Sequence, residues 1–66
     1  AMWVVVYIAE GLFAKERAHQ LLEENGIVCK TKPLYKNRPD EKNSYQISVL
    51  QSEAEEAMAL FLENGF

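Results

Sequence analysis

The feature that most constrains this chain is its opening apolar run, residues 2–9, which reads MWVVVYIA. Its β-branched and aromatic residues favour a β-strand over a helix. Because side chains alternate across a strand, the run divides into two sets. One face is expected to carry Met2, Val4, Val6 and Ile8, and the other Trp3, Val5, Tyr7 and Ala9. Both faces are apolar, so each needs a cover from another part of the fold or from another molecule.

The next two elements are a helix and a second strand. A break at Glu10-Gly11 precedes a helix that is expected to run to about Glu24, where Asn25-Gly26 gives a stop signal. Its apolar positions recur at helical spacing on one face, at Ala14, Ala18, Leu21 and Leu22. A second strand is expected from Ile27 to about Lys32, with Cys29 facing inward and Pro33 ending its regular pairing.

The second half of the chain predicts a hairpin connection, a strand and a helix. Residues 33–43 contain two prolines and few apolar side chains, which indicates a long mobile connection. Ser44–Leu50 alternates as a one-sided strand, with its apolar side chains facing the core. Ser52 and Glu55 have the spacing of a capping box, which predicts the start of a second helix that ends at Asn64-Gly65. Its expected core positions are Ala54, Ala57, Met58 and Phe61.

The order β-α-β-β-α predicts a single α+β domain over residues 1–66, a ferredoxin-like split βαβ without its last strand. The antiparallel three-stranded sheet would have the order 1-3-2, with both helices on one face. The first strand would then be an edge strand with one uncovered apolar face. We therefore expect a homodimer or higher homo-oligomer. The residues expected at its interface are Trp3, Val5, Tyr7 and Phe66.

Three stretches resemble a known family: WVVVYIA, the helix ending LLEENGI, and SYQISV followed by SEAEEA. They are similar to small bacterial signal-transducing proteins that have a PII-like, ferredoxin-like fold. The resemblance covers nearly the whole chain and implies a regulatory role. It brings no catalytic motif, and residues 33–43 depart most from the family.

Candidate reactive groups are few, and the sequence predicts no catalytic residue, no cofactor and no metal site. His19 is expected to be a solvated helix residue, and Cys29 a small buried hydrophobic residue. The carboxylates Glu53, Glu55 and Glu56 lie where negative charge stabilises a helix N-terminus. We therefore expect that the protein is not an enzyme. The opening run is too short to span a bilayer and lacks the features of a secretion signal, so we expect a cytoplasmic location.

Charge is unevenly distributed along the chain. Residues 30–42 hold five cations against two carboxylates, for a net charge of +3, whereas the remainder carries −6 and the whole chain −3. By resemblance to PII proteins, whose corresponding connection engages partners and ligands, this segment is the first candidate for binding an acidic partner protein or a small anionic ligand. The candidate residues are Lys30, Lys32, Lys36, Arg38 and Lys42. The simpler interpretation, a loop kept polar for solubility, remains open.

Two further functions are compatible with the sequence. In the predicted sheet, Trp3 and Tyr7 share one face with Lys30 and Lys32, an arrangement that can stack single-stranded RNA bases. The acidic net charge and the polar residues of the middle strand disfavour that function. The other alternative is a purely structural assembly unit.

Overall fold

The computed structural model describes all of residues 1–66. Its elements follow the expected order of an α+β fold, with short 3₁₀ turns before β3 and before α2. They are β1 (Trp3–Glu10), α1 (Leu12–Glu24), β2 (Cys29–Pro33), the 3₁₀ turn Asp40–Lys42, β3 (Ser44–Leu50), the 3₁₀ turn Gln51–Glu53, and α2 (Ala54–Glu63). No helix combines the length and apolar character that crossing a membrane requires.

The sheet has the predicted strand order β1-β3-β2, and both pairings are antiparallel. β3 is the central strand, and its side chains alternate between the two faces. Tyr45, Ile47 and Val49 are buried under the helices, whereas Gln46 and Ser48 lie on the opposite, outer face. The predicted ferredoxin-like β-α-β-β-α fold class is therefore confirmed, and β1 and β2 are the edge strands within residues 1–66.

The predicted facing of β1 is wrong beyond its middle, because the strand contains a β-bulge. The register with β3 shifts between Val5 and Tyr7, so that Val5 pairs with Ser48 while Tyr7 pairs with Ile47. Val6 and Tyr7 consequently both pack against the core. An extra residue in one strand of an antiparallel pair reverses the facing of every residue after it.

Three residues of β1 illustrate the correction. Tyr7, expected on the outer face, packs under the helices, and Ile8, expected in the core, is 40% exposed. Met2 was also expected in the core and is exposed. The outer face of β1 therefore carries Trp3, Val5 and Ile8, which pair with outer-face positions of β3.

The core lies between the sheet and the two helices and consists of nine buried apolar residues. They are Ala9, Ala18, Leu22, Ile27, Tyr45, Ile47, Val49, Ala57 and Phe61. Ala14 and Leu21 pack beside it, so the predicted core face of α1 is confirmed. Both helices therefore cover the same face of the sheet.

The start of α2 differs from the predicted capping box. Ser52 is exposed within the 3₁₀ turn, Glu53 occupies the N-cap position, and no side chain caps the helix. β3 leads directly into the 3₁₀ turn, which places Ser52 one position too early to cap. Of the predicted core positions of this helix, Met58 is instead 44% exposed.

The two helices end in the same way, as their shared Asn-Gly sequence indicates. After α1, Gly26 has a φ of 73° and the Ile27 amide donates to the Leu22 carbonyl oxygen at 2.9 Å. After α2, Gly65 has a φ of 78° and the Phe66 amide makes the equivalent 2.9 Å bond to the Phe61 carbonyl oxygen. This Schellman geometry needs a left-handed residue, which glycine adopts without strain. It turns the following apolar residue back onto the fold.

Candidate functional site

The candidate site begins with the basic hairpin, residues 30–42, whose base is fastened by the buried side chain of Asn43. Its Oδ1 accepts hydrogen bonds from the backbone amides of Tyr35 at 3.1 Å and Ser44 at 2.8 Å. Its Nδ2 donates to the Tyr35 carbonyl oxygen at 2.7 Å. The Leu34 amide adds a 2.8 Å bond to the Ser44 carbonyl oxygen. One side chain therefore ties the outgoing strand of the hairpin to the returning one.

The returning half of the hairpin is also attached to the body of the protein. The buried Tyr45 hydroxyl donates to the Asp40 carbonyl oxygen at 2.8 Å, and the Gly11 amide donates to the Asn43 carbonyl oxygen at 2.8 Å. Burial, followed by the charges of Asp40 and Glu41, raises the pKa of Tyr45, which keeps this hydroxyl a donor. The connection has more regular structure than its composition indicates.

The five predicted cations are all exposed, but the structure does not bring them to one point. Lys30 and Lys32 lie on the outer face of β2, in register with Ser48 and Gln46. Lys36 and Arg38 are in the loop, and Lys42 is in the 3₁₀ turn. The positive charge therefore follows the length of the hairpin.

Two of these cations are positioned on aromatic rings. The Lys30 Nζ lies 4.3 Å from the centroid of the Trp3 ring, and the Arg38 guanidinium carbon lies 3.9 Å from that of Tyr35. Cation–π contacts of this kind hold a long side chain in place while it stays exposed to solvent. Tyr35 itself is tied to Asn43 through its backbone. The hairpin therefore presents part of its charge in a defined geometry.

The hairpin cations line no concavity of the surface. The four clefts of the molecule are formed by other residues, and none of Lys30, Lys32, Lys36, Arg38 and Lys42 contributes to their walls. Sites for small molecules are generally concave and enclose much of the ligand. The charged surface is instead open to solvent.

The outer face of the sheet holds a smaller aromatic surface than the sequence predicts. Trp3 remains there beside Lys30, but Tyr7 lies on the helical face. The paired aromatic platform on which the RNA-binding alternative depended is therefore not formed. The outer face also presents Val5, which is 46% exposed, and Ile8.

An apolar cleft of about 290 Å³ lies between β1 and α2. Its walls are Val6, Tyr7, Met58, Phe61, Leu62 and Phe66. The Tyr7 ring is stacked on Phe61, with centroids 4.8 Å apart, and meets the edge of Phe66 at 5.6 Å. This aromatic cluster fixes the rear of the cleft, while Met58 and Leu62 are exposed at its rim.

The four residues expected at a self-association surface are divided between the two faces. Trp3 lies on the outer face with Val5, whereas Tyr7 and Phe66 line the apolar cleft. They do not form one patch on a single sheet face. They lie on either side of β1.

The potentially reactive side chains sit apart from both surfaces. His19, Glu23 and the half-buried Cys29 line a separate shallow cleft between α1 and β2. Burial, with a smaller contribution from Glu23, raises the pKa of the Cys29 thiol, whereas an activated cysteine has a lowered pKa. No three His, Cys, Asp or Glu side chains are grouped so that they could hold a metal ion.

Sequence reasoning missed Asn43 as the residue that organises the hairpin. The available signal was its position directly before β3, since asparagine side chains often bond to nearby backbone in turns. It also missed Leu62 as part of the cleft, because an exposed leucine near a helix end carries no distinctive pattern.

In comparisons with known proteins, the chain matched no family model, no curated protein and no solved structure. The resemblance to signal-transducing proteins therefore remains a prediction from three sequence motifs.

Proposed function

We propose that this protein is a non-enzymatic regulatory or signal-transducing module that self-associates and binds an acidic partner protein through the basic hairpin. The observation that carries the proposal is the hairpin's net charge of +3 on a chain whose total is −3. Opposite charge attracts a partner from a distance and orients it before contact. The rest of the chain, taken together, carries a net charge of −6.

The shape of the hairpin supports a protein partner over a small anion. A small anionic ligand needs donors that converge on one point, and the five cations are instead spread along an open surface that lines no cleft. An acidic segment or surface of another protein can contact such a row of charges in turn. A small anionic ligand remains the second possibility for the same residues.

The base of the hairpin supports a binding role over a purely solvating one. A loop kept polar for solubility needs no fixed geometry, whereas Asn43 uses both polar atoms of its buried side chain to hold this one. Arg38 is stacked on Tyr35, which that asparagine holds. A preorganised loop loses less conformational freedom when it binds.

The test is an NMR titration of ¹⁵N-labelled protein with a synthetic poly-glutamate peptide at low salt. We expect amide shifts concentrated in residues 30–42, and their loss in the double variant Lys36→Glu with Arg38→Glu. Both side chains are exposed loop residues, so the folding stability should change by only about 0.5 kcal/mol.

The control variant is Lys15→Glu with Arg17→Glu, which changes the net charge equally but lies on α1. Retained binding in this control, with loss in the hairpin variant, would assign the interaction to the hairpin. Equal loss in both would show that only total charge matters. Matching shifts with inorganic phosphate would favour a small anion, and tight, salt-sensitive binding of single-stranded RNA would favour the RNA-binding alternative.

A further inference from the structure

The two edge strands of the sheet differ in how they are protected against pairing. β2 carries Lys30, Lys32 and Pro33, and charges and proline are the usual devices that keep an edge strand from accepting another strand. β1 has eight residues and no charged side chain before Glu10. Its only protective feature is the bulge between Val5 and Tyr7. The β2 edge is therefore protected against pairing with another strand, whereas the β1 edge is largely unprotected.

Apolar surface flanks the β1 edge on both faces of the sheet. The outer face presents Val5 and Ile8, which are 46% and 40% exposed. The helical face presents the apolar cleft, with Met58 and Leu62 at its rim. The cleft is bounded by residues of β1 and α2 and by Phe66, and no residue of α1 is among its walls.

We infer that β1 pairs antiparallel, edge to edge, with β1 of a second copy of this chain, so that the two sheets join into one six-stranded sheet. This inference rests on the self-association in the proposed function and specifies its geometry. The residues expected at the interface, Trp3 and Val5 on one face and Tyr7 and Phe66 on the other, lie on both sides of the strand that pairs. Stacking of two outer faces would leave the cleft uncovered.

The charge pattern selects a second copy as the occupant. When β1 pairs antiparallel with β1 of a second copy, no charged side chains face each other, because Trp3–Ala9 contains none. A two-fold axis then lets the same patch of surface form the interface on both chains. Pairing of β2 with itself would instead bring Lys30 and Lys32 close to their own copies. Because the β2 edges at both ends of the joined sheet are protected against pairing, no further copies add and the assembly is a closed dimer.

The size of the edge indicates a dimer of moderate affinity. An eight-residue strand is about 27 Å long at about 3.4 Å per residue. With a thickness of roughly 20 Å including side chains, the edge buries roughly 500 Å² per chain and about 1,000 Å² in total, at the lower end of specific interfaces. The bulge shortens the straight part of the strand further. We therefore expect dissociation in the micromolar range.

The test is analytical ultracentrifugation of the wild-type chain and of three variants. Each variant carries one substitution at an exposed or half-exposed position outside the core. Leu62→Lys places a charge at the rim of the cleft and should weaken dimerisation at least about tenfold. Phe13→Lys is the matched control, because Phe13 is 77% exposed on α1 and Leu62 is 78% exposed on α2. Gln46→Lys alters the outer face on the central strand β3, one strand in from the β1 edge.

Edge pairing predicts that wild type, Phe13→Lys and Gln46→Lys form dimers at tens to hundreds of micromolar with the same dissociation constant, whereas the dissociation constant of Leu62→Lys is at least about tenfold higher. A monomeric wild type at those concentrations would overturn the inference, and so would dissociation caused by Gln46→Lys alone, which indicates face-to-face stacking. In a mixture of ¹³C-labelled and unlabelled chains, intermolecular NOEs between β1 backbones provide the direct readout.

Titration of Leu62→Lys with poly-glutamate separates this inference from hairpin binding. Binding by a monomeric Leu62→Lys supports the hairpin function independently of the dimer. A wild-type dimer that binds no poly-glutamate leaves the edge pairing intact and contradicts the hairpin function.

Discussion

Replacement of Asn43 by alanine tests whether one side chain holds the base of the basic hairpin. The substitution removes three hydrogen bonds, two accepted by Oδ1 and one donated by Nδ2. Each neutral hydrogen bond contributes about 0.5–1.5 kcal/mol net, which brackets the loss at about 1.5–4.5 kcal/mol. Water can replace the two bonds to the exposed Tyr35, whereas the Ser44 amide belongs to a buried residue.

We therefore expect Asn43→Ala to lower the free energy of unfolding by about 2–3 kcal/mol. For a domain of this size, that loss corresponds to a fall in Tm of about 10–20 °C. The assay is urea unfolding at fixed protein concentration, followed by the fluorescence of Trp3. Asn37→Ala is the control, because Asn37 is exposed in the same hairpin, and it should change stability by less than about 0.5 kcal/mol.

Amide hydrogen exchange locates the effect. In Asn43→Ala, exchange should accelerate first at Leu34 and Ser44, at the base of the hairpin. A variant as stable as Asn37→Ala, with unchanged exchange at those amides, would refute the account of Asn43 as the fastening residue.

Two further predictions concern the aromatic cluster and the thiol. Phe66→Ala should destabilise the protein by about 2 kcal/mol, because it removes ring contacts with Tyr7 and Phe61; an unchanged thermal midpoint would contradict this role. The raised pKa of Cys29 should make alkylation by iodoacetamide slower than that of an unfolded control at pH 8 and faster as the pH rises. Glu23→Gln removes a negative charge that raises the Cys29 pKa, so it should speed the reaction at a given pH; a slower or equal rate would contradict that assignment.

The elements with a one-sided pattern could be predicted from sequence. α1 shows helical spacing and an Asn-Gly stop, and β3 alternates cleanly, so both match their expected bounds. The strand order follows from connectivity and handedness. In these segments a single signal determines both the element and the face it buries.

The facing of β1 could not be predicted, because apolar residues at nearly every position leave no alternation to follow. The bulge depends on pairing with β3 and on the contact of Tyr7 with Phe61, which lies far along the chain. The capping box at Ser52 failed for a related reason, since the path of the chain out of β3 overrides a local spacing.

The candidate site also has features that could be predicted from sequence and features that could not. The exposure and concentration of the five cations follow from composition, whereas their attachment does not. Asn43 contacts Tyr35 eight positions earlier, and only the folded turn brings the two together. The apolar cleft likewise combines β1 with α2, from opposite ends of the chain.

The bulge in β1 exchanges the two sets of side chains between the faces of the sheet for every residue that follows it. Because both sets are apolar, the strand could pack with either set facing the core. The two arrangements would bury similar apolar area, so the hydrophobic effect alone favours neither strongly. The native arrangement is selected by the shape of the core, because only the bulged strand brings the Tyr7 ring against Phe61 and Phe66. Loss of that ring contact would leave two competing registers of similar energy, so the aromatic cluster maintains a unique structure as well as a stable one.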